Sequence, residues 1–216
     1  MEFETDLIKR SREYATSFLE ENLPNEIFYH DLKHTREVVE AAEEIGKASD
    51  LKEEELETVL VAAWFHDIGY CKGRINHEAK SKEIATRFLR EQEVNERKIA
   101  DVGGCIIATK IPQRPTNSME VVLCDADLYH LSTQEFFHKS ELLRKEFSIT
   151  GGSEIEYNEW LKNSVKFLKK HSFFTDYAKE KLLPSKKKNL KKLKLIRREM
   201  KASPDEGHEG SGGEED

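Results

Sequence analysis

The stretch Trp64-Phe65-His66-Asp67-Ile68-Gly69-Tyr70 places an imidazole and a carboxylate side by side at the end of an apolar segment. Residues 59–65 are all apolar, so we expect this part of the chain to be buried. Burying polar groups costs free energy unless they are paired. A divalent metal ion would pair with both side chains, and the doublet therefore indicates a candidate metal site.

Two other parts of the sequence offer further ligands. His34 lies upstream on a predicted helix, and Asp125-Ala126-Asp127 follows a second apolar run. A mixed set of imidazole and carboxylate ligands suits borderline or hard first-row metals. The three cysteines include no Cys-x-x-Cys pair, so the sequence predicts neither a disulfide framework nor a thiolate zinc site.

The composition indicates an all-α protein with a single domain. A chain of 216 residues can bury one sizeable core, and its five Pro, eleven Gly and long Glu/Lys/Leu/Ala-rich stretches favour helices. Asp50, with Glu53 three residues later, has the spacing of a capping box and predicts a helix start. Apolar spacing predicts helices over residues 3–19, 30–46, 50–66, 78–90, 94–108, 119–131, 133–147 and 155–171. We expect a helical bundle whose candidate ligands lie near the ends of three separate helices.

Charged residues are unevenly distributed in the C-terminal part of the chain. The net charge is -7, yet residues 179–201 contain eleven Lys and Arg against two acids, and residues 203–216 contain six acids and no Lys or Arg. Because Leu190, Leu193 and Ile196 recur at helical spacing, we expect a basic amphipathic helix that packs on the core. The predicted division is a helical core at 1–178, this helix at 179–201, and a disordered acidic tail or expression-tag remnant at 202–216.

The sequence also favours a cytoplasmic location. The chain starts without the basic residues and apolar run of a signal peptide, and no apolar stretch approaches the ~20 residues that cross a bilayer. We therefore expect no membrane contact. Nucleic acid is a disfavoured partner, since the basic segment has the pattern of a packed helix, and a homo-oligomer remains open.

Several motifs together resemble the HD-domain superfamily of metal-dependent phosphohydrolases, and within it a bacterial subgroup of predicted HD phosphohydrolases. Residues 29–35, Tyr-His-Asp-Leu-Lys-His-Thr, resemble that family's Tyr-His-Asn-x-x-His segment. Residues 62–70 resemble its Ala-x-x-x-His-Asp-x-x-Tyr segment, and residues 76–81, 106–109 and 123–128 are similar to its later motifs in the same order. The resemblance extends over roughly residues 4–195 and implies an all-α HD-type bundle.

The resemblance also implies a metal site. Asp127 is preferred to Asp125 because Ala126-Asp127-Leu128 is similar to the segment that holds the family's last ligand, and Asp125 then supports or caps a neighbouring element. Members with several metals have additional His residues, whereas here only His77 is available, so we expect one divalent ion: Mn, Fe, Co, Ni, Zn or Mg. The implied ligands are His34, His66, Asp67 and Asp127.

The implied activity is hydrolysis of a phosphate ester or anhydride, in a nucleotide or another small phosphorylated molecule, by a metal-activated water. Guanosine polyphosphates are disfavoured, because Tyr70-Cys71 stands where their hydrolases carry a Glu-Asp pair. The alternative is a nucleotide-sensing or partner-binding HD module with little or no turnover. The predicted catalytic residues are Asp67, His77 and Lys110, and the predicted substrate contacts are His30, Lys33, Arg74, Lys80 and Arg114.

Overall fold

A computed structural model describes residues 3–202 of the chain, and within that range every regular element is helical. Two short 3-10 helices at Ile68–Lys72 and Tyr129–Ser132 join longer α-helices. The all-α prediction is confirmed, and the predicted tail at 203–216 lies outside the described residues. The α-helices of this range are α1 Asp6–Asn22, α2 Leu32–Ala48, α3 Glu53–Phe65, α4 His77–Glu91, α5 Glu96–Ala108, α6 Ser118–Asp127, α7 Phe136–Thr150, α8 Tyr157–Lys170, α9 Asp176–Lys181 and α10 Leu183–Ala202.

The centre of the main core is α3. All residues from Val59 to Phe65 are at most 4% exposed, and α3 packs against α1, α2, α5 and α6. A helix that is apolar on all sides is stable only when neighbours cover every face. The chain leaves α3 through His66, which is fully buried, and so the polar doublet lies deep in the protein.

The start of α3 differs from the sequence prediction. The predicted N-cap, Asp50, has a φ of 55° and belongs to the turn that follows α2. The helix begins at Glu53, and the backbone N–H of Lys52 donates to the Glu55 carboxylate over 3.0 Å. The capping prediction was wrong because Lys52, and not Asp50, occupies the N-cap position, with Glu55 three residues later in the same acidic stretch.

A second, smaller apolar cluster joins the C-terminal helices. Leu128, Leu131 and Phe136 pack there with the buried face of α8 and with Leu193 of α10. The predicted helix at 119–131 is divided, since α6 ends at Asp127 and a 3-10 helix follows. The basic residues lie on α10, which begins after α9 and packs on α8, and the predicted boundary at 178 falls within α9.

No helix in the described range combines the length and the apolar composition that crossing a bilayer requires.

Gly69 allows two elements to approach closely beside the polar doublet. Its backbone N–H donates to Ser81 Oγ over 2.8 Å, which ties the first 3-10 helix to α4. A Cβ atom at this position would lie 2.1 Å from the carbonyl oxygen of His77, and that oxygen belongs to the backbone. Only glycine fits here, and its absence of a side chain lets the first residue of α4, His77, reach Asp67.

We expect Gly69→Ala to lower the free energy of unfolding by about 3 kcal/mol, because overpacking must push α4 away from the doublet. Urea unfolding followed by circular dichroism measures the change. Gly104→Ala is the matched control: its Cβ would meet only the flexible end of Glu120, at 3.1 Å, within α5. Equal unfolding midpoints for the Gly69→Ala and wild-type proteins would contradict the packing argument.

Candidate metal centre

Four polar side chains converge where three helices end. His34 lies in the first turn of α2, His66 and Asp67 follow the last residue of α3, and Asp127 is the last residue of α6. One nitrogen or oxygen atom from each side chain lies within 4.8 Å of the others. These are the four residues that the sequence predicted as ligands.

Local hydrogen bonds set the orientation of both imidazoles. Asp31 caps α2 by accepting the backbone N–H of His34 over 2.8 Å, which fixes the start of that helix. His66 Nδ1 lies 2.8 Å from the carbonyl oxygen of Ala63. Because a carbonyl only accepts, Nδ1 carries the proton, and the Nε2 lone pair faces the cluster.

The distances within the cluster suit a bound cation. Asp67 Oδ2 lies 3.0 Å from His66 Nε2 and 3.3 Å from His34 Nε2, and the two imidazole nitrogens are 3.4 Å apart. Asp127 Oδ1 lies 3.5 Å from His34 Nε2. Two carboxylate oxygens and two imidazole nitrogens directed at one point require positive charge among them, which either a proton or a metal ion supplies. This donor set therefore fits a first-row divalent ion.

The pKa values show how strongly these groups interact. Burial lowers the pKa of His34, but its hydrogen bonds to Asp127 and Asp67 outweigh that effect and raise the pKa to about 9. Burial raises the pKa of Asp67, yet the positive charges of His66 and His30 and the imidazole hydrogen bonds bring it well below its usual value. A metal ion that binds here must displace a proton from His34.

A cavity of about 470 Å³ opens directly onto the cluster, with Asp67 and Asp127 in its wall. Of the predicted catalytic and substrate-binding residues, His30, Arg74, His77 and Lys110 also line it.

The structure does not bring the other three predicted substrate contacts to this cavity. Lys33 lies 3.5 Å from the Glu135 carboxylate and 3.9 Å from that of Glu37. Lys80 donates to the carbonyl oxygens of Lys72 and Gly73, and so fastens the loop before α4. Arg114 is exposed on the loop after α5.

His77 is the nearest neighbour of the cluster. Its Nε2 lies 3.3 Å from Asp67 Oδ1, the carboxylate oxygen that faces away from His66. Its Nδ1 donates to the carbonyl oxygen of Arg74 over 3.1 Å, which directs Nε2 toward Asp67. His77 therefore extends the polar site from the cluster into the cavity.

Comparison with known proteins agrees with this geometry. Residues 31–131 match the HD domain family, and this segment includes all four clustered residues. The chain carries an HD domain. A comparison with curated proteins gave no match.

Two crystal structures share the fold of this HD domain protein. One is a predicted HD superfamily hydrolase from an uncultured Thermotogales bacterium, with 17% identity, a TM-score of 0.57, and coverage of 88% of this chain and 91% of that one. The other is a protein from Lactobacillus plantarum, with 16% identity, a TM-score of 0.67, and coverage of 92% and 99%. The likeness extends beyond the HD domain to most of the chain.

Two residues near the site were not among the predicted ones. His130 Nδ1 lies 2.8 Å from the Tyr29 hydroxyl, and burial together with the charge of His34 lowers the pKa of His130 to about 3. Its position three residues after Asp127, one helical turn away, was a signal that the sequence contained.

Glu146 is the other such residue, and it is fully buried on α7. Its carboxylate accepts the backbone N–H groups of Tyr29 and His30 over 2.9 and 3.2 Å and pairs with the His30 ring. The contact joins residues 116 positions apart, and nothing local distinguishes Glu146 from the other acids of the chain.

Asp125 has a different environment from Asp127. It is fully buried and accepts hydrogen bonds from the backbone N–H groups of Phe174 and Thr175, over 2.9 and 2.8 Å, and from the Thr175 hydroxyl over 2.8 Å. These bonds anchor the segment that leads into α9. Asp125 supports the fold, while Asp127 belongs to the four-residue cluster.

Metal affinity should rise with pH up to about pH 9. Below that value His34 is protonated, so each unit of pH lost weakens Mn²⁺ binding about tenfold while one proton is displaced. Calorimetric titration with Mn²⁺ at pH 7, in buffers of different ionisation enthalpy, measures the protons released. His138→Ala, on the exposed side of α7, is the control and should release the same number. Binding without proton release would contradict the assignment.

Substitution should distinguish the roles of Asp125 and Asp127. Asp125→Ala leaves three buried donors without their acceptor, and we expect it to lower the free energy of unfolding by about 3 kcal/mol while the protein still binds metal. Asp127→Ala should lose metal and change stability little. Urea unfolding and metal content after dialysis report the two effects. A folded, metal-free Asp125→Ala protein beside a metal-loaded Asp127→Ala protein would reverse the assignment.

Proposed function

We propose that this protein is a metal-dependent phosphohydrolase, which cleaves a phosphate ester or anhydride in a nucleotide or another small phosphorylated molecule. The observation that carries the proposal is the two-His, two-Asp cluster, whose two aspartates lie in the wall of a cavity that Arg74 and Lys110 also line. His34, His66, Asp67 and Asp127 would hold a divalent ion, which would supply a water of lowered pKa and polarise the phosphoryl group.

Arg74 and Lys110 supply the charge that a phosphoryl group requires. In the described part of the chain neither side chain forms an ion pair, and Arg74 Nε is buried without a hydrogen-bond partner. The Arg74 guanidinium lies 4.8 Å from the centre of the Phe147 ring, which holds it at the cavity wall. Both cations can bind phosphoryl oxygens and stabilise the charge that develops on them.

His30 is placed to deliver a proton. Its ring stacks on Tyr70 with 4.0 Å between ring centres and pairs through Nδ1 with the Glu146 carboxylate. Burial raises the pKa of Glu146, but the hydrogen bond and charge of His30 and the backbone N–H groups lower it below its usual value. The Glu146 carboxylate holds the His30 ring in place, and the other ring nitrogen can pass a proton to the leaving oxygen.

His77 is the candidate for holding the attacking water. Its Nε2 faces Asp67 Oδ1, and its Nδ1 is already committed as a donor to Arg74. Burial lowers the pKa of His77, but its hydrogen bond to Asp67 and the charge of that carboxylate outweigh burial and raise it. The His77–Asp67 pair can orient a water molecule for in-line attack.

We also propose a cytoplasmic location. Cys71, Cys105 and Cys124 are unpaired in the described structure, and two of them are buried. Free thiols of this kind are typical of a reducing compartment.

A hydrolysis screen tests the proposed activity. The purified protein is assayed with Mn²⁺, Co²⁺, Ni²⁺, Mg²⁺ and Zn²⁺ against nucleoside mono-, di- and triphosphates, cyclic nucleotides and aryl phosphates. We expect hydrolysis with at least one pair, detected as released phosphate or pyrophosphate or, for cyclic nucleotides, as the ring-opened monophosphate. His66→Ala and Asp67→Ala should abolish it because each removes a ligand. His138→Ala should retain full activity. A metal-loaded protein that hydrolyses none of these substrates would refute the proposal.

A further inference from the structure

We propose that the substrate carries an aromatic ring, which binds in an apolar arm of the cavity formed by α7 and α8. This inference rests on the proposed function, since it places the phosphoryl group at the metal end of the same cavity. The aromatic arm is defined by Phe136, Leu143, Phe147, Trp160 and Phe167.

The rings connect the metal end of the cavity to this arm. His30 and Phe147 are inclined by only 13°, with ring centres 6.4 Å apart, and the Phe147 ring meets Trp160 edge-on at 6.1 Å. An aromatic surface therefore extends from His30 into the aromatic arm. Such surfaces bind flat aromatic groups by stacking and edge-to-face contacts.

The size of the cavity exceeds what a phosphoryl group alone requires. Its volume of about 470 Å³ falls in the range of sites that enclose a whole small organic ligand. Because Arg74, Lys110 and the cluster supply the polar end, the remaining space belongs to the non-phosphate part of the substrate. That part of the substrate must therefore lie against walls that are mainly apolar.

Two polar side chains beside the arm already have hydrogen-bond partners. Trp160 Nε1 donates to Ser140 Oγ over 2.9 Å, and Asn163 Nδ2 donates to the Glu159 carboxylate over 3.2 Å. A sugar or polyol would lose hydrogen bonds to water here and regain few of them. An aromatic ring loses none, so the arm favours it without requiring a particular pattern of donors and acceptors.

The arm also lies outside the segment that defines the HD domain. Its five residues all follow residue 131, where the family match ends. The metal cluster comes from that segment and the arm from the two later helices. The selectivity thus resides in helices that follow the segment matched by the HD domain family.

Trp160 provides a direct binding signal. The chain contains two tryptophans, and Trp64→Phe leaves Trp160 as the sole indole emitter. We expect 1-naphthyl phosphate to change the Trp160 emission of the Trp64→Phe protein at concentrations where ethyl phosphate, with the same charge, does not. No emission change with 1-naphthyl phosphate would overturn the inference, whether or not any substrate is hydrolysed.

Kinetics supply the second test. We expect a KM for 1-naphthyl phosphate about tenfold below that for ethyl phosphate, and Phe167→Leu should remove most of this difference by raising the first KM alone. Phe137→Leu, a partly buried ring of the same apolar cluster that does not line the cavity, is the matched control and should change neither. Equal KM values in the wild-type protein would overturn the inference while leaving the phosphohydrolase intact.

Comparing adenosine monophosphate with ribose 5-phosphate distinguishes a nucleobase from a simple aryl group as the natural ring. A preference for the nucleotide that Phe167→Leu weakens would identify the ring as a nucleobase. A preference limited to 1-naphthyl phosphate would identify a non-nucleotide aryl group. If emission changes on binding but no phosphate is released from any compound, the proposed function fails and the aromatic arm stands.

Discussion

Asp67 is a carboxylate buried at the end of an apolar helix, and its negative charge must be balanced where water is excluded. His34 and His66 approach one of its oxygens and His77 approaches the other. Each imidazole comes from a different place: the start of α2, the end of α3 and the start of α4. The arrangement of these helices therefore depends on how the negative charge of Asp67 is balanced.

The packing of α3 explains why that carboxylate lies so deep. Four helices cover the apolar run before it, and the chain can only leave the core through the polar doublet. Gly69 then permits α4 to approach within contact of the first 3-10 helix, and this brings His77 to the site. The hydrophobic core and the candidate catalytic centre thus share their boundary at residues 65–67, and a change in one alters the other.

The sequence predicted those features that local chemistry determines. An apolar run followed by His-Asp must bury both side chains, and His34 and Asp127 stood in motifs whose order is characteristic. It could not predict the partners of charged residues, because those depend on which helices meet. Lys80, next to the motifs, binds loop carbonyls, whereas Glu146, 116 residues from His30, supports the site. The misplaced cap at Asp50 shows the same limit, since several acids in one stretch satisfy the same spacing.

The adjacency of Glu146 and Phe147 on α7 has a mechanical consequence. Glu146 holds the backbone and ring of His30, while Phe147 forms part of the cavity wall and covers Arg74. Neighbouring residues of one rigid helical turn move together, so a ligand that displaces the Phe147 wall also shifts the support of His30. If the proposed roles hold, recognition of the leaving group and delivery of a proton to it are coupled through this one helical turn.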